Sequence, residues 1–285
     1  MTMMKKHTVL YSIIILLLFF CFPEVIISSS TSYYFRTLGI NDGLSQSTVN
    51  AILQDQKGFM WIGTKDGLNQ YDGQECRVFQ KENSSLGNNF ITALYEDCEG
   101  YIWVGTDAGV YIYNPVQEAF QFLDTEIASS GEKITRAVTW ITSDSQNNIW
   151  ISVDNQGLFC YNRGKKNLTK VVSCGKSGIA NVTHFWFYAG QLWIARYEDN
   201  LYVSKDNSSF NAFNDVDGED IFKGLVINSY VEGLHNCLYV GTSKGLMEIN
   251  LTSRKVRKLL DEYVRDICFR SDTDLWIGTE QGLYI

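Results

Sequence analysis

The side chains best suited to catalysis are scarce in this 285-residue chain and form no familiar constellation. Its three histidines are His7, His184 and His235, and neither an H-E-x-x-H nor a G-x-S-x-G segment occurs. The common zinc-protease and serine-hydrolase motifs are therefore absent from the sequence. The G-K-S segment at 175–177 ends like a phosphate loop, but Lys170 stands where that loop needs its first glycine. We expect no catalytic residue and no cofactor.

An acidic run at 215–220 is the best candidate for a metal site. It reads D-V-D-G-E-D, and an EF-hand register would place Phe213 at the first ligand position and Gly224 at the last. Neither residue offers a side-chain oxygen. We therefore expect a solvated acidic loop and no metal, with a looser calcium site as the alternative.

Six copies of one pattern centred on an aromatic residue run through the chain. The first two read W-I-G-T-K-D-G-L at 61–68 and W-V-G-T-D-A-G-V at 103–110. The anchor aromatics lie 37 to 47 residues apart, a period typical of propeller blades. We expect them to pack between adjacent sheets, a stacked ligand platform being the alternative. The anchors are Trp61, Trp103, Trp150, Trp193, Tyr239 and Trp276.

The first full repeat predicts four short antiparallel strands, at 49–54, 59–63, 68–71 and 76–80. Turn residues rich in Asp and Gly separate these β-prone runs. Gly67 and its counterparts are expected to adopt a left-handed backbone, a position that Asn200 fills in the fourth repeat. The predicted fold is all-β: a β-propeller of four-stranded antiparallel blades with about six repeats, forming an incomplete seven-bladed ring.

The two ends of the chain predict a division into two parts. Lys5 and Lys6 precede an apolar run at 9–22, and serines follow at 28–30, the order of a secretory signal. We expect a signal peptide or N-terminal anchor over residues 1–30 and the propeller over residues 31–285. Residues 33–38 resemble the fourth strand of a blade, and the sixth repeat stops inside its third strand. The sequence therefore predicts a truncated propeller whose last blade is incomplete.

The net charge limits the classes of partner that the sequence predicts, and the cysteine pattern bears on whether disulfides form. The net charge of −8 disfavours nucleic acid, and we expect contact with a membrane only through the N-terminal segment. Six cysteines follow residue 30 with irregular spacing and no C-x-x-C. We expect mostly free, buried thiols, with one disulfide as the alternative. They are Cys76, Cys98, Cys160, Cys174, Cys237 and Cys268.

A propeller places ligands on its loops and at the mouth of its channel. The first strand of each blade is expected to line the channel, through residues such as Asn50, Thr92, Thr139, Thr183 and Arg265. Planar hydrogen-bonding groups and aromatic faces suit a sugar. The best-placed candidates are Arg136, Trp140, His184, Trp186 and Arg265. The alternative is a hydrated channel in which Trp140 and Trp186 serve only in packing.

The run N-D-G-L-S-Q-S-T-V-N at 41–50, followed by D-x-x-G-F-M-W-I-G-T-x-D-G-L-N-x-Y-D-G at 55–73, resembles the two-component regulator propeller repeat. The resemblance extends over residues 33–285 and is most specific in the first two repeats. It implies the periplasmic sensor domain of a hybrid two-component, or phosphorelay, histidine kinase of the Bacteroidetes. It also implies an oligosaccharide ligand, control of glycan-utilisation genes, and a homodimeric parent in the inner membrane.

The sequence departs from that family plan because no phospho-acceptor histidine motif, ATP site or receiver aspartate is recognisable in it. The resemblance therefore implies ligand binding by this chain without kinase activity. Two alternatives stay open: a propeller that serves as a protein-interaction scaffold, and a propeller lyase or dehydrogenase. The scarcity of histidine argues against the second alternative.

Overall fold

A computed structural model describes residues 34–171, 182–207, 209–271 and 274–285. The predicted signal or anchor over residues 1–30 lies outside the described residues, as does Cys174. The chain divides into a unit of residues 1–37 and a unit of residues 38–285. Only residues 34–37 of the first are described. Within the described ranges, no helix has both the length and the apolar character needed to cross a bilayer.

The described residues form a short 3-10 helix, Ile40–Asp42, and six antiparallel sheets built in chain order. Five sheets have four strands and the sixth has three. Blade 1 comprises β1 (Val49–Gln54), β2 (Met60–Thr64), β3 (Gly67–Tyr71) and β4 (Cys76–Phe79). Blade 2 comprises β5 (Ile91–Glu96), β6 (Ile102–Thr106), β7 (Gly109–Asn114) and β8 (Ala119–Phe122). Blade 3 comprises β9 (Val138–Ser143), β10 (Ile149–Val153), β11 (Gly157–Asn162) and β12 (Asn167–Lys170).

The later blades repeat this order with more variation. Blade 4 comprises β13 (Val182–Tyr188), β14 (Gln191–Arg196), β15 (Leu201–Ser204) and β16 (Asn211–Ala212). Blade 5 comprises β17 (Ile227–Glu232), β18 (Cys237–Thr242), β19 (Gly245–Asn250) and β20 (Lys255–Leu260). Blade 6 comprises β21 (Val264–Phe269), β22 (Leu275–Thr279) and β23 (Leu283–Tyr284).

The first strand of each blade lies innermost. β1, β5, β9, β13, β17 and β21 pack against one another in that order, and residues from all six line a single cavity. This arrangement confirms the predicted β-propeller of antiparallel blades. Four predicted strands of the first repeat match β1 to β4 within one residue at each end. The seventh blade stays a prediction.

Three details of the sequence interpretation are wrong. Residues 34–38 form no strand, and the 3-10 helix Ile40–Asp42 follows them in the chain. In blade 4 the left-handed residue is Glu198, with φ of 48°, and not Asn200, because the turn there closes between Arg196 and Asn200. Five cysteines are described and all are free, but Cys98 and Cys268 are exposed rather than buried, and the other three are only half-buried.

The anchor aromatics lie between neighbouring blades. Trp61 lies 5.0 Å from the ring of Tyr113 in blade 2, and Trp150 lies 5.0 Å from Phe187 in blade 4. Trp193 is 2% exposed and shares its cluster with residues of blade 5, whereas Trp276 is half-buried. An aromatic ring at a joint between blades contributes much of the energy that holds successive sheets together.

In the first three blades an aspartate six residues before the anchor fixes the indole. The Trp Nε1–H groups donate to Asp55, Asp97 and Asp144 at 2.8, 2.7 and 2.9 Å. The second carboxylate oxygen of each Asp accepts two backbone N–H groups of the turn between the first and second strands. One side chain thus orders both the turn and the core aromatic. Asp97 also pairs with Arg163 of blade 3 at 3.0 Å.

A glycine two residues after the anchor allows the next blade to approach. A Cβ atom added to Gly105 would lie 2.8 Å from Val138 Cγ1 of blade 3, and one added to Gly63 would lie 2.5 Å from Ile91 Cγ2 of blade 2. Any side chain at these positions would push the innermost strands apart, so the W-x-G spacing reflects packing between blades.

We expect Asp97→Ala to lower the free energy of unfolding by about 1–3 kcal/mol, because it leaves the buried Trp103 N–H without an acceptor. Urea unfolding measures the loss. Asp124→Ala is the control, because the Asp124 side chain is exposed and its pair with Lys133 is worth at most about 1 kcal/mol. Equal losses in the two variants would contradict the structural role given to Asp97.

Gly105→Ala should also destabilise the protein by about 1–3 kcal/mol, because the added methyl group overpacks the joint between blades 2 and 3. The matched control is Gly164→Ala, where the nearest atom to the new Cβ is Asn162 Oδ1 at 3.6 Å. The control should shift stability by no more than about 0.5 kcal/mol. Thermal unfolding of both variants decides whether the glycine is required for packing.

Candidate functional site in the central channel

The innermost strands enclose a cavity of about 680 Å³ along the propeller axis. Each of these strands carries a β-bulge at its second residue, where the pairing with the neighbouring strand skips one position. Bulges redirect side chains and are common beside functional sites. The six bulge residues, all polar, are Asn50, Thr92, Thr139, Thr183, Asn228 and Arg265.

Three of the bulge side chains fasten one blade to the next. Asn50 Nδ2 donates to the Ile91 carbonyl at 2.8 Å, and Asn228 Nδ2 donates to the Val264 carbonyl at 2.7 Å. Thr139 Oγ1 donates to the carbonyl of Val182, the first residue of β13, at 3.0 Å. These bonds hold the channel wall at one end.

Four buried polar atoms of residues lining the cavity have no hydrogen-bond partner among the described residues. They are Thr92 Oγ1, Trp140 Nε1, His184 Nδ1 and Ser229 Oγ. Buried polar groups are normally paired, and an unpaired one costs free energy. Two hydroxyls, one indole donor and one imidazole nitrogen around a single cavity therefore form a surface that a polar ligand or ordered water would complete.

His184 is neutral near pH 7. Burial lowers its pKa from 6.5 to about 4, and a hydrogen bond to the backbone of Ile227 opposes this shift. Its Nδ1 has no hydrogen-bond partner among the described residues. The imidazole lies 4.6 Å from the Trp140 ring. An unpaired imidazole nitrogen and an unpaired indole donor are thus adjacent on the channel wall.

Charged groups of both signs complete the lining. Arg265 is exposed, pairs with Glu280 at 2.8 Å and lies over the Tyr263 ring at 5.1 Å. Glu232 and Asp266 also line the cavity, and desolvation raises the pKa of both carboxyl groups. A bond from the Ile267 N–H to the Asp266 carboxylate opposes that shift. The channel therefore offers donors and acceptors without a strong excess of one charge.

The structure brings together three of the five predicted ligand residues, Trp140, His184 and Arg265. Arg136 is exposed and does not line the cavity. Trp186 is 1% exposed and stacks on Trp193 and Tyr230 at 6.1 and 4.2 Å, which is a packing role.

The residues that line the channel differ from the sequence expectation at several positions. Thr183 does not line the cavity, and its hydroxyl instead donates to the Ala195 carbonyl at 3.3 Å. Sequence reasoning missed Asn228, although its place in the fifth repeat matches Asn50 in the first. It also missed Ser229, Glu232 and Asp266, for which no sequence signal existed.

The acidic run at 215–220 forms a turn. Asp215 Oδ1 accepts the backbone N–H groups of Asp217 and Glu219 at 3.0 and 2.8 Å. No group of three or more His, Cys, Asp or Glu side chains suited to a metal ion occurs among the residues with described positions.

Comparison with known families identifies the repeats. The family model described as two component regulator propeller matches residues 43–66, 85–108 and 258–281. These segments correspond to blades 1, 2 and 6. Each covers residues just before the innermost strand, that strand itself and the second strand, which carries the anchor aromatic. Three segments of this chain therefore match the two component regulator propeller repeat.

Individual relatives support the same assignment over different lengths. A 50-residue segment is 42% identical to Histidine kinase P4 of Formosa agariphila and covers 18% of this chain and 4% of that kinase. The extracellular domain of the putative hybrid two component system BT3049 from B. thetaiotaomicron superposes with a TM-score of 0.72 at 27% identity. That match covers 87% of this chain and 34% of the other, so the present chain spans about a third of that domain.

A more distant neighbour shares the fold alone. A virginiamycin B lyase from Staphylococcus aureus superposes with a TM-score of 0.62 at 12% identity, over 82% of this chain and 78% of the lyase. At this identity the likeness carries no information about activity.

We expect acidification to destabilise the protein through His184. The folded-state pKa of about 4 lies below the ordinary 6.5, so the unfolded chain binds the extra proton between these values and stability falls as pH is lowered through them. Urea unfolding of the wild type and of His184→Gln from pH 7 to pH 4 measures the effect. The wild type should lose more stability than the variant, and parallel pH profiles would contradict a neutral, desolvated imidazole.

Proposed function

We propose that this chain is the extracytoplasmic ligand-sensing propeller of a hybrid two-component, or phosphorelay, system and that its channel recognises an oligosaccharide. The observation that carries the proposal is the set of four unpaired polar atoms around one cavity. A sugar hydroxyl both donates and accepts hydrogen bonds, so adjacent hydroxyls of one sugar ring would satisfy a mixed wall of this kind.

The size and make-up of the channel support a ligand of this class. Its volume of about 680 Å³ falls within the range of roughly 300–1,000 Å³ found for small-molecule sites. Trp140 adds an aromatic ring beside the polar groups. Arg265 would reach a ligand from the blade 6 side while its partner Glu280 limits the net charge. A neutral or weakly charged sugar fits this wall better than a strongly charged ligand.

The similarity to extracellular domains of two-component systems supports the wider role. We infer that the chain acts in the periplasm, reached through the N-terminal signal or anchor, as part of a dimeric inner-membrane parent that controls glycan-utilisation genes. The chain itself would bind and not catalyse. Signal transfer would then depend on parts of the parent beyond the propeller.

Binding to the purified chain tests the proposal. We expect isothermal titration with a panel of glycan-derived oligosaccharides to find at least one specific ligand. Trp140→Phe and Ser229→Ala should weaken its affinity by roughly tenfold each, since each substitution removes one hydrogen bond to a desolvated partner. Thr183→Val is the control, because its hydroxyl bonds within blade 4 outside the cavity lining.

The outcomes separate the candidate functions. Ligand binding that the two channel variants weaken and the control preserves supports the sensor proposal. Binding of a partner protein with no response to any oligosaccharide would instead favour the scaffold. Turnover of a polysaccharide would overturn the non-catalytic assignment.

A further inference from the structure

A second cavity lies in the groove between blades 4 and 5, away from the axis. It measures about 760 Å³ and opens on the face formed by the first-to-second and third-to-fourth strand hairpins, opposite to the channel bulges. The residues that matter in it are Trp193 from β14, Phe213 after β16, and Arg254 from the hairpin between β19 and β20.

The anchor indole in this groove lacks the acceptor that its counterparts have. Six residues before Trp193 the chain carries Phe187, where blades 1 to 3 carry an aspartate. The hairpin between β13 and β14 is a two-residue turn at Ala189 and Gly190, with φ of 50° and 71°, so it has no room for the aspartate-capped turn. Trp193 is 2% exposed, and its Nε1 has no hydrogen-bond partner among the residues that the structure describes.

The joint between blades 2 and 3 shows the complete arrangement. There the carboxylate of Asp97 lies between the Trp103 indole, at 2.7 Å, and the guanidinium of Arg163, at 3.0 Å. Arg163 belongs to the third-to-fourth strand hairpin of the following blade. An indole donor and an arginine from neighbouring blades are thus bridged by one carboxylate.

The groove between blades 4 and 5 is likewise lined by an anchor indole and by an arginine from the next blade. Arg254 comes from the corresponding hairpin of blade 5, and its Cζ lies 5.1 Å from the centre of the Phe213 ring. The same ring lies 5.3 Å from the Trp193 ring. Arg254 also donates to the Asn214 carbonyl at 2.7 and 3.1 Å, which holds its guanidinium in place over Phe213.

The charge of the groove favours an anion. Lys205 and Arg254 line it with a single carboxylate, Asp206, which accepts hydrogen bonds from the Ser209 backbone N–H and hydroxyl at 2.9 to 3.0 Å. By contrast, the groove between blades 1 and 2 is lined by six carboxylates and two cationic side chains. An anionic ligand would therefore bind the groove between blades 4 and 5 in preference to the groove between blades 1 and 2.

We propose that the groove between blades 4 and 5 binds the carboxylate of a small hydroxylated ligand such as a uronic acid. The ligand carboxylate accepts the Trp193 N–H and pairs with Arg254, in the place that Asp97 occupies between blades 2 and 3. The ring of the ligand lies near Phe213 and the polar side chains Asn211 and Asn236. This site is separate from the channel and does not rest on the function proposed for it.

Titration of the purified chain with sodium glucuronate, monitored by calorimetry or ligand-observed NMR, tests the site. D-glucose is the neutral counterpart, and sodium acetate tests the carboxylate alone. We expect glucuronate to bind and glucose not to compete with it. Trp193→Phe keeps the ring but removes the donor, and it should weaken glucuronate binding by about tenfold or more, as should Arg254→Gln.

The matched control is Trp103→Phe, in which the lost N–H is one that Asp97 already binds within the protein. This variant should lose stability and keep its affinity for glucuronate. Trp193→Phe also replaces a large buried ring by a smaller one, but it should lose less stability than Trp103→Phe, because the donor that it removes is unpaired. Thr183→Val, whose hydroxyl bonds to the Ala195 carbonyl and which lines neither cavity, should leave glucuronate binding unchanged. Trp140→Phe and Ser229→Ala report on the channel proposal, whereas Trp193→Phe and Arg254→Gln report on this one, so the two failures are distinguishable.

Each outcome either supports the carboxylate site or overturns it. Acetate binding as tight as that of glucuronate supports a carboxylate site that does not select the sugar. Equal binding of glucose and glucuronate, unaltered affinity in Trp193→Phe, or no glucuronate binding at millimolar concentration would overturn the proposal. In the last case an ordered water is the acceptor of the Trp193 N–H.

Discussion

The hydrogen bond from a core indole to a turn aspartate is the interaction on which the regular part of this propeller depends. The aspartate has two roles. Its carboxylate accepts the buried N–H of the anchor, and it also orders the first hairpin of the blade. The anchor can then fill the joint with the next blade at little polar cost. In blade 4, where Phe187 stands in place of the aspartate, the hairpin is shorter and the indole lines the groove beside blade 5.

Much of the fold could be predicted from the sequence because the repeat carries redundant signals. Turn glycines, the W-x-G spacing and the anchor period each indicate the same strands, and blade 1 follows them within a residue. The predictions were wrong where they relied on one sequence feature alone. Asn200 is compatible with a left-handed backbone, yet the closure of its turn places that conformation at Glu198. Residues 34–38 have strand-like composition but form no strand.

The site was less predictable than the fold for a physical reason. Whether a side chain lines the channel depends on a bulge that shifts the alternation of the innermost strand by one residue. Trp140 directly follows its bulge and lines the channel, whereas Trp186 lies three residues beyond its bulge and is sealed in packing. Which buried polar atoms lack a partner depends on contacts between blades that the repeat pattern does not specify.

The bulges also divide the channel wall into two kinds of position. Asn50, Thr139 and Asn228, in blades 1, 3 and 5, carry the bonds that tie successive blades together. The intervening positions, Thr92, Thr183 and Arg265 in blades 2, 4 and 6, make no bond to the following innermost strand among the contacts described. The innermost strands are thus tied to one another through the bulge residues of alternate blades. Among the other bulge residues, Thr92 and Arg265 line the channel, so substituting them would alter its lining without removing a bond between blades.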